Sequence, residues 1–271
     1  MNVYKQIVSA AFFLMAMATS AVAQNDLRVP LSQPGQPGVL NLSSNFADEI
    51  IIRTHNEKDV LFVIDGDDDK DDLQDYSRNG LRRISRSGGG LEVKENDNVV
   101  NVHTSANDDD DLEIWVPVNF SIKLHTNHGD VVIDGVNGQH EITSTNGDVE
   151  MTNISGACIV NSVNGDIEVE MVKVDERAPM SFTGLNGDIE VMLPENVKFN
   201  GKMKTDFGDV YTNFDIKIDR TASSSEVSDR DGTYTVVINK WISGTVNGGG
   251  PEYLFKTLHG DIEIVKNSKE R

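Results

Sequence analysis

The sequence of 271 residues contains a single cysteine, Cys158, so no disulfide can form within the chain. We interpret this residue, in the segment GACIVNS, as a small buried side chain rather than a nucleophile. Aromatic residues make up 6% of the chain, and no segment after the N-terminus has helical periodicity. The apolar residues are mostly valine and isoleucine, which favour strands. The sequence therefore predicts an all-β protein.

Positive charge is also scarce, because 24 lysines and arginines stand against 44 aspartates and glutamates, for a formal charge of −20. Binding to nucleic acid or to an anionic lipid surface needs clustered lysines and arginines. We therefore expect no nucleic-acid partner. No segment after the N-terminus has the roughly 20 apolar residues of a membrane-spanning helix.

The N-terminus has the layout of a secretory signal peptide over residues 1–23. Lys5 precedes an apolar stretch from Ile7 to Ala18, and Ala21-Val22-Ala23 forms a cleavage signal. The apolar stretch is shorter than the roughly 20 residues of a membrane span. We predict an exported protein that lies in the periplasm, at the cell surface or outside the cell.

A Gly-Asp pair preceded by Asn, His or an aromatic residue and followed by an apolar strand occurs six times. These pairs are Gly129-Asp130, Gly147-Asp148, Gly165-Asp166, Gly187-Asp188, Gly208-Asp209 and Gly260-Asp261. Glycine enters the left-handed backbone region without a steric penalty, so each pair marks a reversal of the chain. Aspartates repeated at one corner can accept hydrogen bonds from neighbouring backbone N–H groups. We interpret these residues as structural turn repeats.

Turn glycines fall every nine residues from Gly129 to Gly165, but only every second one is followed by Asp and then Val or Ile. This alternation favours a parallel β-solenoid with coils of about 18–22 residues, since equivalent corners stack once per coil. An antiparallel β meander or sandwich with Asn-Gly hairpins is the alternative. In the solenoid, a longer corner loop places Gly208 after Gly187 in the stack.

The apolar residues that follow each Gly-Asp pair occupy equivalent positions in the predicted coils. Because strand residues alternate between two faces, we expect them to point inward as a stack. They are Val131, Ile133, Val149, Met151, Ile167, Val169, Ile189, Val191, Ile262 and Ile264.

We predict one elongated β-repeat domain, preceded by the signal peptide and followed by a short charged tail. The irregular N-terminal part and the tail KNSKER are expected to cover the strand edges at the two ends. The predicted segments are the signal peptide 1–23, a flexible segment 24–38, the domain 39–266 and the tail 267–271. Within the domain they are an irregular part 39–115 with an acidic loop 65–80, regular rungs 116–214, a loop insertion 215–235 and closing rungs 236–266.

Two groups of side chains are candidate metal ligands. The segment HTNHGD contains His125, His128 and Asp130, with His140 on the next strand. However, His128 stands where other repeats have Asn, which is equally explained by a variant turn. The other group is Asp65, Asp67, Asp69 and Asp71.

These four aspartates alternate as oxygen donors in DGDDDKDD and suggest calcium. An EF-hand loop also needs Gly and Glu where this chain has Lys70 and Tyr76. We therefore expect a weak attraction for calcium and no other cofactor.

No catalytic residues are predicted. An identical aspartate on every coil is typical of a structural repeat, and the chain lacks a GxSxG elbow and a phosphate-binding loop. The alternative is a polysaccharide-active enzyme on the same scaffold. Such an enzyme would need a groove with a non-repeating pair of carboxylates.

Several segments together resemble the bacterial putative-adhesin family of β-strand-repeat proteins, a domain family of unknown function. They are PGQPGVLNLSSNFADEIIIRTHNEKDVLFV, NGLRRISRSGGGLEVKENDNVVNV, LEIWVPVNFSIKLHTNHGDVVI, the NGD repeats and NGGGPEYLFKTLHGDIEI. The resemblance implies an exported β-solenoid with a role in adhesion or elsewhere in the cell envelope. It supplies no catalytic residues.

We therefore expect a non-enzymatic, adhesin-like binding or scaffolding protein. Its partner would be an envelope glycan or protein. A purely structural envelope or stress-related component is a further alternative.

Overall fold

The computed structural model describes residues 26–45, 47–64, 91–104, 111–219, 225–230, 233–238 and 241–267. The predicted signal peptide, the acidic loop 65–80 and residues 268–271 of the tail lie outside the described residues.

The described residues form twenty-two strands and no helix, which confirms the all-β prediction. The strands are β1 Asp26–Pro30, β2 Gly38–Ser44, β3 Glu49–His55, β4 Asp59–Ile64, β5 Leu91–Asn96, β6 Val99–Thr104, β7 Leu112–Pro117, β8 Phe120–Thr126, β9 Asp130–Asp134, β10 Asn137–Asn146, β11 Val149–Asn164, β12 Ile167–Val174, β13 Met180–Asn186, β14 Ile189–Pro194, β15 Phe199–Phe207, β16 Val210–Thr212, β17 Ile216–Asp219, β18 Ser225–Arg230, β19 Thr233–Ile238, β20 Ile242–Val246, β21 Glu252–His259 and β22 Ile262–Asn267.

Twenty of these strands form one continuous sheet, in which a regular coil contributes one strand to each of two columns. In the first column, β8, β10 and the second half of β11 pair in parallel, and the last two align Asn137 with Ser155. In the second column, β9, the first half of β11 and β12 align Val131, Val149 and Ile167. The pairings of β13 with β11 and of β14 with β12 continue both columns. The prediction of a parallel β-solenoid is confirmed.

The coils do not stack in chain order at the C-terminal end. The last coil of the chain, β21–β22, lies between β13–β14 and β15–β16. Accordingly, a Cβ on Gly260 would lie 2.2 Å from the carbonyl oxygen of Gly187, and one on Gly208 would lie 2.1 Å from that of Gly260. The prediction that Gly208 follows Gly187 is therefore wrong. Of the closing rungs predicted at 236–266, β21 and β22 lie inside the stack, whereas β20 pairs antiparallel with β15 and β17.

The N-terminal end shows the same interleaving. The coil β2–β3 lies between β6–β7 and β8–β9, and it pairs in parallel with both. The part predicted as irregular, 39–115, thus supplies two further coils. Its turn sequences differ from the Gly-Asp repeat, which is why the sequence did not reveal them.

Antiparallel pairing is confined to the ends of the stack and to one hairpin. It joins β1 to β4, β4 to β7, β5 to β6, β15 to β20, β17 to β20 and β18 to β19. Within the segment predicted to be flexible, 24–38, residues 26–31 belong to the fold, because β1 pairs with β4 and Leu31 is buried. The predicted loop insertion 215–235 contains β17, β18 and the start of β19, in which Ile216, Ile218, Val227 and Thr233 are residue types that favour strands.

The core lies between the two columns. All ten apolar residues predicted to point inward after the Gly-Asp pairs are buried, with at most 1% exposed, which confirms that prediction. Cys158 is also fully buried, as predicted, and burial raises the pKa of its thiol to about 12. The thiol therefore stays protonated at neutral pH.

His140 is the one histidine among the buried residues of the described structure, with 2% of its surface exposed. Its ring nitrogen Nε2 donates a hydrogen bond of 3.3 Å to the carbonyl oxygen of Ser155. Burial lowers the pKa of His140 from 6.5 to about 4.

The buried imidazole makes the stability of the protein depend on pH. Between pH 6.5 and pH 4 the unfolded chain protonates His140 and the folded chain does not, so the folded state loses about 3 kcal/mol as the pH falls. Between pH 7 and pH 4 we expect the free energy of unfolding of His140→Leu to fall by about 3 kcal/mol less than that of the unsubstituted protein. Urea unfolding of both proteins at the two pH values checks this. Equal acid-induced losses would contradict it.

Candidate ligand-binding groove

The aspartates of the Gly-Asp corners accept hydrogen bonds from the backbone of the next coil. Oδ1 of Asp130 accepts from the N–H of Asp148 at 2.9 Å. The same contact recurs at 2.7–2.8 Å in four further pairs, each named here with the accepting carboxylate first and the donating N–H second. They are Asp148 and Asp166, Asp166 and Asp188, Asp188 and Asp261, and Asp261 and Asp209. These carboxylates therefore satisfy corner N–H groups that strand pairing leaves without a partner.

The four residues considered as a metal group are divided between different parts of the coil. His125 is exposed on the outer surface of β8, and His128 and Asp130 lie at the following corner, whereas His140 is in the core. In the part of the chain that the structure describes, no three His, Cys, Asp or Glu side chains could hold a metal ion. The other candidates, Asp65, Asp67, Asp69 and Asp71, lie outside the described residues.

Glutamates form a row on the outer surface of the second column. Strand pairing aligns Glu150 with Glu168, Glu168 with Glu190 and Glu190 with Glu263. Burial and the charges of Glu168 and Glu263 raise the pKa of Glu190. The sequence analysis missed this row, although Glu recurs two residues after Asp in GDVE and GDIE. Because the row repeats along the stack and lines neither cavity described below, it does not have the form of a catalytic pair.

A groove of about 720 Å³ lies on the outer surface of the first column, at the N-terminal end of the stack. It crosses five adjacent strands, β5, β6, β2, β8 and β10. Four inter-strand spacings give it a length of about 19 Å. Its side chains stand on paired strands, so their positions are fixed by the sheet rather than by loops.

Two rows of side chains, aligned across the strands, line the groove. The amide row consists of Lys94, Asn101, Asn41, Lys123 and Glu141. The imidazole row consists of Glu92, His103, Ser43, His125 and Thr143. Together the two rows present hydroxyl, amide and imidazole groups that both donate and accept hydrogen bonds.

The charged side chains of the groove are paired with one another. Lys94 forms an ion pair with Glu92, and the Lys123 ammonium lies 3.7 Å from the Glu141 carboxylate. The Lys94 hydrogen bond lowers the pKa of Glu92. With its histidines neutral, the groove therefore has no net charge, although the protein as a whole is strongly acidic.

An unsatisfied acceptor lies in the floor of the groove. The side-chain amide of Asn41 donates a hydrogen bond of 3.0 Å to Oδ1 of Asn101. Oδ1 of Asn41 is buried and has no hydrogen-bond partner among the described residues. A buried acceptor without a partner is costly, so a ligand that donates to this oxygen gains from doing so.

The sequence analysis did not find this groove. Asn41 and Glu141 are far apart in the chain, and only the insertion of β2 between β6 and β8 brings their strands together. The alternation of polar residues along β2, β6 and β8 would have identified three outward-facing surfaces but not their order.

These features define the class of protein as a parallel β-solenoid whose coils are closed by Gly-Asp corners. The Toastrack DUF4097 family matches residues 79–264, which is more than half of the chain. The chain belongs to this family.

Two solved structures are similar to this chain. One is a putative cell adhesion protein from Clostridium sporogenes ATCC 15579, with 12% identity, a TM-score of 0.39, and coverage of 90% of this chain and 100% of that one. The other is a putative adhesin from Bacteroides fragilis NCTC 9343, with 14% identity, a TM-score of 0.36, and coverage of 88% and 95%. Comparison with curated proteins gave no match. Among the described residues, no helix has the length and hydropathy to cross a membrane.

Proposed function

We propose that this chain is an exported, non-enzymatic, adhesin-like protein that binds a cell-envelope ligand in the groove of the first column. The observation that carries the proposal is the groove itself, which presents two rows of hydrogen-bonding side chains, is charge-balanced and is built on paired strands. The signal-peptide layout of residues 1–23 supports export.

The chemistry of the groove favours a neutral glycan as the ligand. Amide and hydroxyl groups such as those of Asn101, Ser43 and Thr143 match the hydroxyl groups of a sugar chain. A polyanion would be repelled by the overall charge of −20. The groove is open and about 19 Å long, which suits the side of a linear polymer better than an enclosed small molecule.

The carboxylates of the groove do not support glycoside cleavage. A general acid needs a raised pKa, whereas the hydrogen bond from Lys94 lowers that of Glu92. Glu141 is held in an ion pair with Lys123. The groove is therefore better suited to binding than to proton transfer.

Cosedimentation of residues 24–271 with purified envelope fractions tests the proposal. The fractions are peptidoglycan, outer membrane and capsular polysaccharide, each with calcium and with a chelator. We expect saturable binding to one fraction that contains glycan. If a chelator abolishes that binding, the acidic loop 65–80 takes part in it. Failure to bind any fraction would overturn the proposal.

Substitutions on two surfaces locate the binding. We expect Asn101→Ala and His125→Ala each to weaken binding by about 10-fold, the effect of losing one hydrogen bond to the ligand. His259→Ala is the matched control, because His259 is an exposed histidine outside the groove. Equal affinities of the groove variants and the control would show that the groove is not the site.

A further inference from the structure

A row of four polarisable or polar side chains crosses the core of the first column. His140 on β10 pairs with Cys158 on β11. Cys158 in turn faces Met180 on β13, because the next residues, Ile159 and Ser181, are paired. Met180 pairs with Tyr253 on β21. All four side chains are at least 98% buried, since none is more than 2% exposed.

This row leaves two buried polar atoms unsatisfied. Neither Nδ1 of His140 nor the hydroxyl of Tyr253 has a hydrogen-bond partner in the described part of the chain. Packing alone would favour an aliphatic residue at position 140, because a buried polar atom without a partner costs free energy. The lone pair of this imidazole nitrogen is therefore available to a ligand.

The hydrogen bond of His140 is the one expected of a metal ligand. A carbonyl oxygen can only accept, so Nε2 carries the proton that it donates to Ser155, and Nδ1 has a free lone pair. Metal-binding histidines usually donate their other ring N–H to a backbone carbonyl in this way, which fixes the tautomer. The neighbouring residues in the row, Cys158 and Met180, supply a thiol and a thioether.

We propose that His140 Nδ1, Cys158 Sγ and Met180 Sδ form a binding site for a monovalent soft metal ion, Cu(I). Thiolate and thioether sulfur select Cu(I) over hard cations. Charge also favours this ion, because Cu(I) and one thiolate have no net charge and can be buried in an apolar core at low cost. Zn²⁺ would leave a net positive charge and would lack a fourth protein ligand.

Binding exchanges a proton for the metal without any redox step. Cu(I) forms a bond to Sγ of Cys158, the S–H bond breaks, and the proton passes to solvent while the copper stays monovalent. Because the thiol must lose its proton, we expect the affinity to fall as the pH is lowered. A cavity of about 210 Å³ lined by Gly138 and Gly156 opens at the corner two residues before His140 and Cys158.

Anaerobic titration of the purified protein with Cu(I), in competition with a chromophoric Cu(I) chelator, tests the site. We expect one Cu(I) per chain, with an X-ray absorption spectrum that shows one nitrogen and two sulfur ligands. The same protein should bind Zn²⁺ at least 100-fold more weakly. No binding of Cu(I) by the folded protein, or equal affinity for Zn²⁺, would overturn the proposal.

Two variants and a control separate this site from adventitious binding. We expect Cys158→Ser to weaken Cu(I) binding by at least about 100-fold and Met180→Leu by about 10-fold. Met180→Leu conserves volume, so the test holds even where Cys158→Ser does not fold. Met151→Leu is the matched control, since Met151 is fully buried in the second column. Equal affinities of Met180→Leu and Met151→Leu would overturn the assignment.

Discussion

Gly165→Ala should lower the free energy of unfolding by at least about 3 kcal/mol, or prevent folding. Gly165 has a backbone φ of 143°, a conformation that residues other than glycine rarely adopt. A Cβ at this position would also lie 2.2 Å from the carbonyl oxygen of Gly147 in the preceding coil. That oxygen belongs to the stacked corners and cannot move without disturbing the neighbouring strands. Urea unfolding measured by circular dichroism checks the prediction.

Gly35→Ala is the matched control for this substitution. Gly35 also has positive φ, at 87°, but a Cβ there would meet no atom within 4 Å. It should therefore cost about 1–2 kcal/mol, from backbone strain alone. If both substitutions had the same effect, the close stacking of the Gly-Asp corners would not be a source of stability.

Phe255→Ala should lower the free energy of unfolding by about 3–5 kcal/mol. Phe255 on β21 is fully buried, and its ring lies 5.4 Å from that of Phe182 on β13 and 6.5 Å from that of Phe199 on β15. These contacts exist because the last coil of the chain lies between two earlier ones. Removing the ring would leave a cavity at the centre of this end of the core.

Phe207→Ala provides the comparison for Phe255→Ala. Phe207 lies on β15, is 65% exposed and stacks on His259 at a ring-centroid distance of 4.7 Å. The same truncation there should cost less than about 1 kcal/mol, because little buried surface is lost. Thermal or urea unfolding of both variants measures the difference. A small effect at Phe255 would contradict the position of β21 inside the stack.

The coil itself could be predicted from the sequence because the repeat is local. Gly147 and Asp148 recur at the same place in each coil, so their spacing gives the length of the coil and the positions of its corners. The inward-facing residues follow from the alternation of strand faces, as Val149 and Met151 show. The structural interpretation of Asp148 agrees with the hydrogen bond that its carboxylate accepts from Asp166.

The order of the coils could not be predicted in the same way. Parallel pairing between backbones is nearly independent of side chains, so the repeat does not specify which coil lies next to which. The order depends instead on how the core side chains of neighbouring coils pack against one another. Tyr253, for example, lies between Met180 and Gly201 of the two adjacent strands. Long connections, such as the one between β16 and β21, permit a coil to return to an inner position.

The groove follows from this order. His103, Ser43 and His125 form one row only because β2 lies between β6 and β8. If the coils stacked in chain order, β6 would pair directly with β8, and the floor formed by Asn41 would be absent. The arrangement of these three strands is therefore the central claim on which the proposed binding site depends.

Disulfide formation between introduced cysteines tests this claim most directly. Paired strands bring Cα atoms to about 4.8 Å, within reach of a disulfide, whereas strands separated by a third lie about 9–10 Å apart, beyond it. We predict that Ser43→Cys combined with His103→Cys, and Ser43→Cys combined with His125→Cys, each form a disulfide under mild oxidation. His103→Cys combined with His125→Cys should not. Efficient crosslinking of that last pair, with none to position 43, would contradict the interleaved stack and the groove built on it.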